Sequence, residues 1–160
     1  MNGPFSSLSA RVAICLYCAW SSRDIPGAWQ HCLYDRYAWI PLLVWCLPLF
    51  MIRNSGIRSA EAEKWGSFMS GAALLCTFTG TLASLHVLQH VGLALALASW
   101  FPVSPFLLIW LLSSFSWMPG LGWIGSVFFP AHVLPVRLLI ATAAAGLFSY
   151  RLVTRRFPRP

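Results

Sequence analysis

The residues with chemical capacity are few and widely separated. His86 and His90 lie four apart, so a helix that holds them presents both imidazoles on one face. That spacing suits two ligands of one metal ion, because side chains on adjacent turns reach a common point. The glutamate of the hydrolytic HExxH motif is missing, since Val87, Leu88 and Gln89 lie between the two. A polar patch near a helix end is the simpler reading. Cys15 and Cys18 form a Cys-x-x-Cys inside an apolar run, without the second pair that would mark a zinc site. The five cysteines, at 15, 18, 32, 46 and 76, are odd in number and scattered, which excludes a disulfide framework. Four of them sit in apolar runs and read as small hydrophobes.

Two acids stand outside the loop that holds Glu61 and Glu63. Asp24 follows Arg23 and Asp35 precedes Arg36, so local ion pairs in a surface loop are expected rather than acid–base chemistry. Arg137 comes just after Pro135, near the start of the last apolar run. It is expected to snorkel to an interface, the alternative being that it stabilises an anion in a site. Gly120-Leu121-Gly122-Trp123-Ile124-Gly125 has the spacing of a dinucleotide fingerprint. That motif must follow a strand and open a helix, whereas this one lies between two apolar runs and reads as an interfacial loop. No GxSxG, Walker A or cofactor motif is present.

The elements that would position these residues are set by composition. The chain has 160 residues, 58% hydrophobic and only 9% charged. Its mean hydropathy is +0.69. An ordinary soluble domain carries about 25% charged residues, so the apolar excess here must face lipid. The fold class expected is all-α: a polytopic integral membrane bundle of five or six helices, in one domain. A span needs about 20 mostly apolar residues. The candidate segments are 5–20, 37–52, 65–84, 86–101, 104–117 and 133–153, followed by a basic tail at 154–160. The first is read as retained in the membrane, because no small-residue cleavage site follows it. Pairs such as Ser67 with Gly71 and Gly80 with Ser84 let membrane helices approach closely. Trp20, Trp29, Trp39, Trp65, Trp100, Trp117 and Trp123 fall near segment ends and are expected to anchor at the interface.

The net charge is +7. Apart from the short tail of Arg151, Arg155, Arg156 and Arg159, the basic residues stand singly between apolar runs, which argues against nucleic acid and for a bilayer partner. Six segments put Arg53, Arg58, Lys64, Arg151, Arg155, Arg156 and Arg159 on one side, against Arg23, Arg36 and Arg137 on the other. That bias places both termini in the cytoplasm and the protein in the plasma or inner membrane.

One resemblance follows from longer stretches. Asp35-Arg36-Tyr37-Ala38-Trp39-Ile40-Pro41-Leu42-Leu43, running into Arg53, is similar to the early segment of the exosortase/archaeosortase family. His86 to Gln89 with the apolar run after it resembles the same family, as does Phe106-Leu107-Leu108 leading through Trp117-Met118-Pro119-Gly120 towards Leu134-Pro135-Val136-Arg137-Leu138. The similarity covers roughly residues 20–145. The family comprises multi-spanning membrane proteins that process C-terminal sorting signals, with a cysteine nucleophile followed by embedded Arg and Arg or His. The typical Cys-Ser-Gly setting is absent: Cys76 leads into Thr77-Phe78-Thr79-Gly80, and Arg137 is the one later candidate. The resemblance therefore implies a non-catalytic half, a truncated relative or a derived accessory protein that assembles with other membrane subunits. A thiol peptidase or transpeptidase built on Cys76 and Arg137 is the enzymatic alternative. A transporter or channel subunit is the third.

Overall fold

Runs of Ala, Leu, Phe and small residues without turn signals favour helix, and the computed structural model of the chain is all-α, with no strand among the described residues. It describes residues 8–54 and 60–156, and their side chains over 8–50 and 63–154. Residues 5–7 of the first expected segment and residues 157–160 of the basic tail lie outside the described residues.

Among the described residues eight α-helices follow one another: α1 Leu8–Ser21, α2 Ile25–His31, α3 Trp39–Trp45, α4 Ala60–Leu82, α5 His86–Ala98, α6 Pro105–Leu112, α7 Leu121–Phe128 and α8 Val133–Arg156. The 3-10 helices Leu47–Asn54 and Ser113–Ser116 extend α3 and α6. Pro48 explains the first of these changes. It has no N–H for the carbonyl of Val44 and its ring crowds that carbonyl, so the α-geometry stops at Trp45. Two connections differ from expectation. The polar stretch after α1 contains α2, and the Gly-rich stretch expected as a loop forms α7.

The chain divides into two compact units, residues 1–24 with 56–107 and residues 25–55 with 108–160. In the first, α1, α4 and α5 pack around Ile14, Cys18, Ala73 and Ala96, with Leu74, Leu93 and Leu95 against them. The α4–α5 hairpin closes on small residues. Ser84 takes a left-handed φ of 56°, and the Leu85 N–H donates to Gly80 O at 2.8 Å, a Schellman closure with serine in the usual glycine position. Gly92 lies so close to Thr77 Oγ1 and Ala73 O that only a hydrogen fits there. Arg11 does not reach outward. Its guanidinium lies against Gly66 and donates to Glu63 O at 3.2 Å and Ser99 O at 3.3 Å.

In the second unit α8 packs on α3 and the 3-10 helices through Ala141, Ala144, Ala145 and Phe148. Trp45 and Trp110 stack with ring centroids 4.0 Å apart and planes 7° from parallel. Each indole N–H donates to the other residue's carbonyl oxygen, both at 2.8 Å. Trp117 meets Trp45 edge-on and Phe148 stacks on Trp110. The tryptophans thus split. Trp20, Trp39 and Trp123 are exposed as anchors would be, whereas Trp29 and Trp117 are buried. The Trp29 indole N–H donates to Trp117 O at 3.1 Å.

One helix among the described residues, over Val133–Thr154, is long and apolar enough by itself to cross a membrane. Pro105–Ser116 and Leu121–Phe128 pass the same test only as a pair, bent by 87°.

Candidate functional site

The most elaborate polar arrangement is built on Asp35. This residue sits in the turn before α3 with its side chain 0% exposed. Three donors converge on its carboxylate. Arg137 Nη1, from the first turns of α8, donates to Oδ1 at 2.7 Å. The backbone N–H of Gly120 donates to Oδ2 at 2.8 Å, and that of Gly122 to Oδ1 at 3.1 Å. A buried carboxylate is tolerable only when it is paired and its lone pairs are filled, as they are here.

The local sequence explains the fit. Gly120 adopts a φ of +82°, which turns its N–H inward and opens α7. Gly122 must lack a Cβ, because one there would collide with Asp35 Oδ1 and lie 2.9 Å from Tyr34 O. The helix start is an electropositive anion site, and the anion is supplied by the chain itself. Glycines spaced as in a phosphate-binding turn thus do related physics on an internal carboxylate. Arg137 is held further by Tyr34 O at 3.3 Å and Met118 O at 2.8 Å.

Two expectations are corrected by this geometry. Asp35 does not pair with Arg36, and Arg137, 6% exposed, does not snorkel. Neighbouring side chains at i and i+1 point apart, whereas the fold brings residues 102 apart into contact. Arg36 instead lies over the Tyr37 ring, 5.9 Å from its centroid. The alternative role for Arg137, stabilising an anion, is the one the contacts describe.

Asp24 likewise turns away from Arg23, which lies over the Trp20 ring at 4.8 Å. Its carboxylate sits between the two imidazoles, with Oδ2 3.1 Å from His86 Nδ1 and Oδ1 3.4 Å from His90 Nε2. His86 is exposed and His90 buried. The helix spacing does place both rings on one face, and what they share is a carboxylate that ties the end of α1 to the start of α5. No group of three or more His, Cys, Asp or Glu among the described residues is arranged to hold a metal ion.

The cysteines are free thiols. Cys18 is buried and accepts from Thr77 Oγ1 at 3.2 Å. Cys15 accepts from the Trp100 indole at 3.2 Å and donates to Ala96 O at 3.5 Å. Both therefore serve helix packing. Cys76 is half-buried on α4 in the first unit, and Arg137 belongs to the second.

Comparison with protein-family models, with curated proteins and with solved structures finds no match to this chain.

Proposed function

We propose that the protein is a small multi-pass membrane protein, a non-catalytic or accessory component that assembles with other membrane subunits. The observation that carries this reading is the sidedness of its helices. A soluble helix buries its large apolar residues and turns polar ones outward. Here the order is reversed. On α4 the inward face is Gly66, Met69, Ser70, Ala73, Thr77 and Gly80, while Phe68, Leu75, Phe78 and Leu82 face out. On α8 the inward face is Val133, Arg137, Ala141, Ala144, Ala145 and Phe148, while Leu139, Ile140, Leu147, Tyr150 and Val153 face out. On α1 Ile14 and Cys18 are buried, with Leu16 and Trp20 outside. Apart from Ile14, Met69, Val133 and Phe148, small residues lie inside and bulky apolar residues outside, which is the packing of helices in hydrocarbon.

On this reading α4 and α8 cross the bilayer, α1, α3 and α5 fill shorter depths, and the α6–α7 pair is a broken segment, five or six segments in all. With six crossings, the basic residues put both termini on the cytoplasmic side of a plasma or inner membrane. The resemblance to the exosortase/archaeosortase family fits a supporting rather than a catalytic part. A thiolate nucleophile needs a cation or base beside it, and Arg137 is already committed to Asp35.

Washing native membranes with alkaline carbonate tests the membrane assignment: the protein stays with the lipid pellet. Full release into the wash would refute it. Extraction in mild detergent followed by mass analysis is expected to give a hetero-oligomer, and a lone monomer would refute the accessory role. Cys76→Ala is expected to leave the processing of sorting signals unchanged, and loss of processing would establish the thiol enzyme instead.

A further inference from the structure

The turn after α1 is fastened to the start of α5 at two points. The Ser22 hydroxyl donates to Gln89 O at 3.2 Å in a buried setting. The Asp24 carboxylate lies between the His86 and His90 rings. Chemistry fixes where the hydrogens of this cluster sit. An ionised carboxylate only accepts, so His86 donates through Nδ1 and His90 through Nε2. Each neutral ring keeps its lone pair on the other nitrogen, and a further proton must go there. The two rings differ in what that proton would meet. The His86 side chain is 62% exposed, so its cation is hydrated. The His90 side chain is 2% exposed, and its Nδ1 is buried without a hydrogen-bond partner among the described residues. Neutral, this nitrogen is one unused acceptor. Protonated, it is a cationic N–H closed off from water with no acceptor beside it, which is among the costliest groups to bury.

The surroundings do not offset that cost. The charged groups that act on His90 are Asp24 and His86. Asp24 is shared, so once the exposed His86 ring has taken a proton the carboxylate is already matched. His86, one turn earlier on α5, then repels a second cation. The helices packed on α5 are α1 and α4. On α1, Arg11 is held at Ser99 O, beyond the other end of α5, and Tyr17 is exposed. Cys15 and Cys18 are thiols bonded to Trp100 and Thr77, and Arg23 lies over Trp20. On α4 the charged residues stand between 61 and 64, at the end far from the α4–α5 turn, and Cys76 is a thiol. We infer that Asp24, His86 and His90 form an acid-sensitive latch, in which proton uptake by His90 frees the turn after α1 from the start of α5. Opening gives the new N–H an acceptor in water. The sign follows from linkage: the open state binds the proton and the closed state resists it, so the latch is shut at neutral pH and opens as pH falls. The inference uses contacts within the first unit and is independent of the membrane reading.

The test is hydrogen exchange, read by mass spectrometry on the full chain in maltoside micelles at about pH 7.5 and about pH 5, either side of histidine titration. Rates are corrected for the intrinsic pH dependence of amide exchange. Amides in peptides covering residues 20–25 and 84–92 are expected to exchange about 5- to 150-fold faster in acid, the factor that one unsatisfied buried donor is worth. Peptides from α8 keep their protection. His90→Gln retains an N–H for Asp24 but takes up no proton, so the acid response vanishes. His86→Gln leaves Asp24 free to balance His90, so the response shrinks without vanishing. Unchanged protection of both segments in acid, or a full response in His90→Gln, overturns the latch. A second measurement needs no variant: the ring nitrogen signals of ¹⁵N-histidine-labelled protein are followed across the same range. His90 Nδ1 is expected to gain its proton in the step that raises exchange. A His90 cation in the still-protected state overturns the proposal even if His90→Gln does not fold.

Discussion

Replacing Arg137 with Met is expected to be among the most damaging single changes in the second unit. Asp35 would keep two backbone donors, Gly120 and Gly122, but lose its cation while remaining fully buried. Breaking a buried ion pair by deleting one partner costs about 3–5 kcal/mol, because the other charge stays uncompensated. For a chain of this size 1 kcal/mol moves the melting temperature by about 2–4 °C, so a fall of roughly 6–20 °C is expected. Asp35→Asn should cost a similar amount, since it strands Arg137 among carbonyls. The double variant is the decisive measurement. With both charges gone no buried ion is left, and the amide oxygen introduced by Asp35→Asn still accepts from one glycine N–H. The pair of changes should therefore cost less than the sum of the singles by about 2–3 kcal/mol. The assay is thermal unfolding in detergent micelles, followed by near-ultraviolet circular dichroism of the buried tryptophans. Additivity within about 0.5 kcal/mol, the behaviour of independent sites, would refute the view that the two residues work as one unit.

Other substitutions probe separate parts of the fold. Gly92→Val drives a side chain into Thr77 and Ala73 and should destabilise by about 1–3 kcal/mol, while Gly146→Ala, where nothing lies within 4 Å, should stabilise by about 0.5–1 kcal/mol; urea or thermal midpoints in micelles compare the two. Trp45→Phe removes the indole donor to Trp110 O and should lower stability by about 2 kcal/mol, with Trp110→Phe matching it because the two bonds are reciprocal. Leu147→Arg places a charge on the outer face near the middle of α8 and should raise the apparent cost of membrane integration by about 3 kcal/mol in an insertion assay. A water-facing Leu147 would tolerate the change within about 0.5 kcal/mol.

Much of the helical organisation was readable from periodicity and composition. The apolar stretches behind α4 and α8 are long and uninterrupted, and both are helices of more than 20 residues. Shorter elements were harder to read. Pro48 divides the segment over 37–52, and the Gly-rich stretch after Met118 becomes helix because Gly120 turns the chain and Asp35 accepts its first N–H groups. Nothing local to residues 118–128 announces a carboxylate that arrives from 85 residues earlier. The tryptophans show the same limit. Trp117 stands at a segment end like Trp20, yet one is enclosed by Trp45 and the other exposed, and composition cannot tell them apart.

The residues alone were enough to show a chain that is helical, poor in charge and rich in apolar side chains. Those properties depend on how many residues of each kind there are and how they are spaced. Which partner Asp24 and Asp35 take is set by the folded arrangement. Asp35 found Arg137 rather than Arg36, and Asp24 found two histidines rather than Arg23. The reason is electrostatic: a charge removed from water needs donors that converge from several directions, and a neighbour one residue away along the chain cannot provide that convergence.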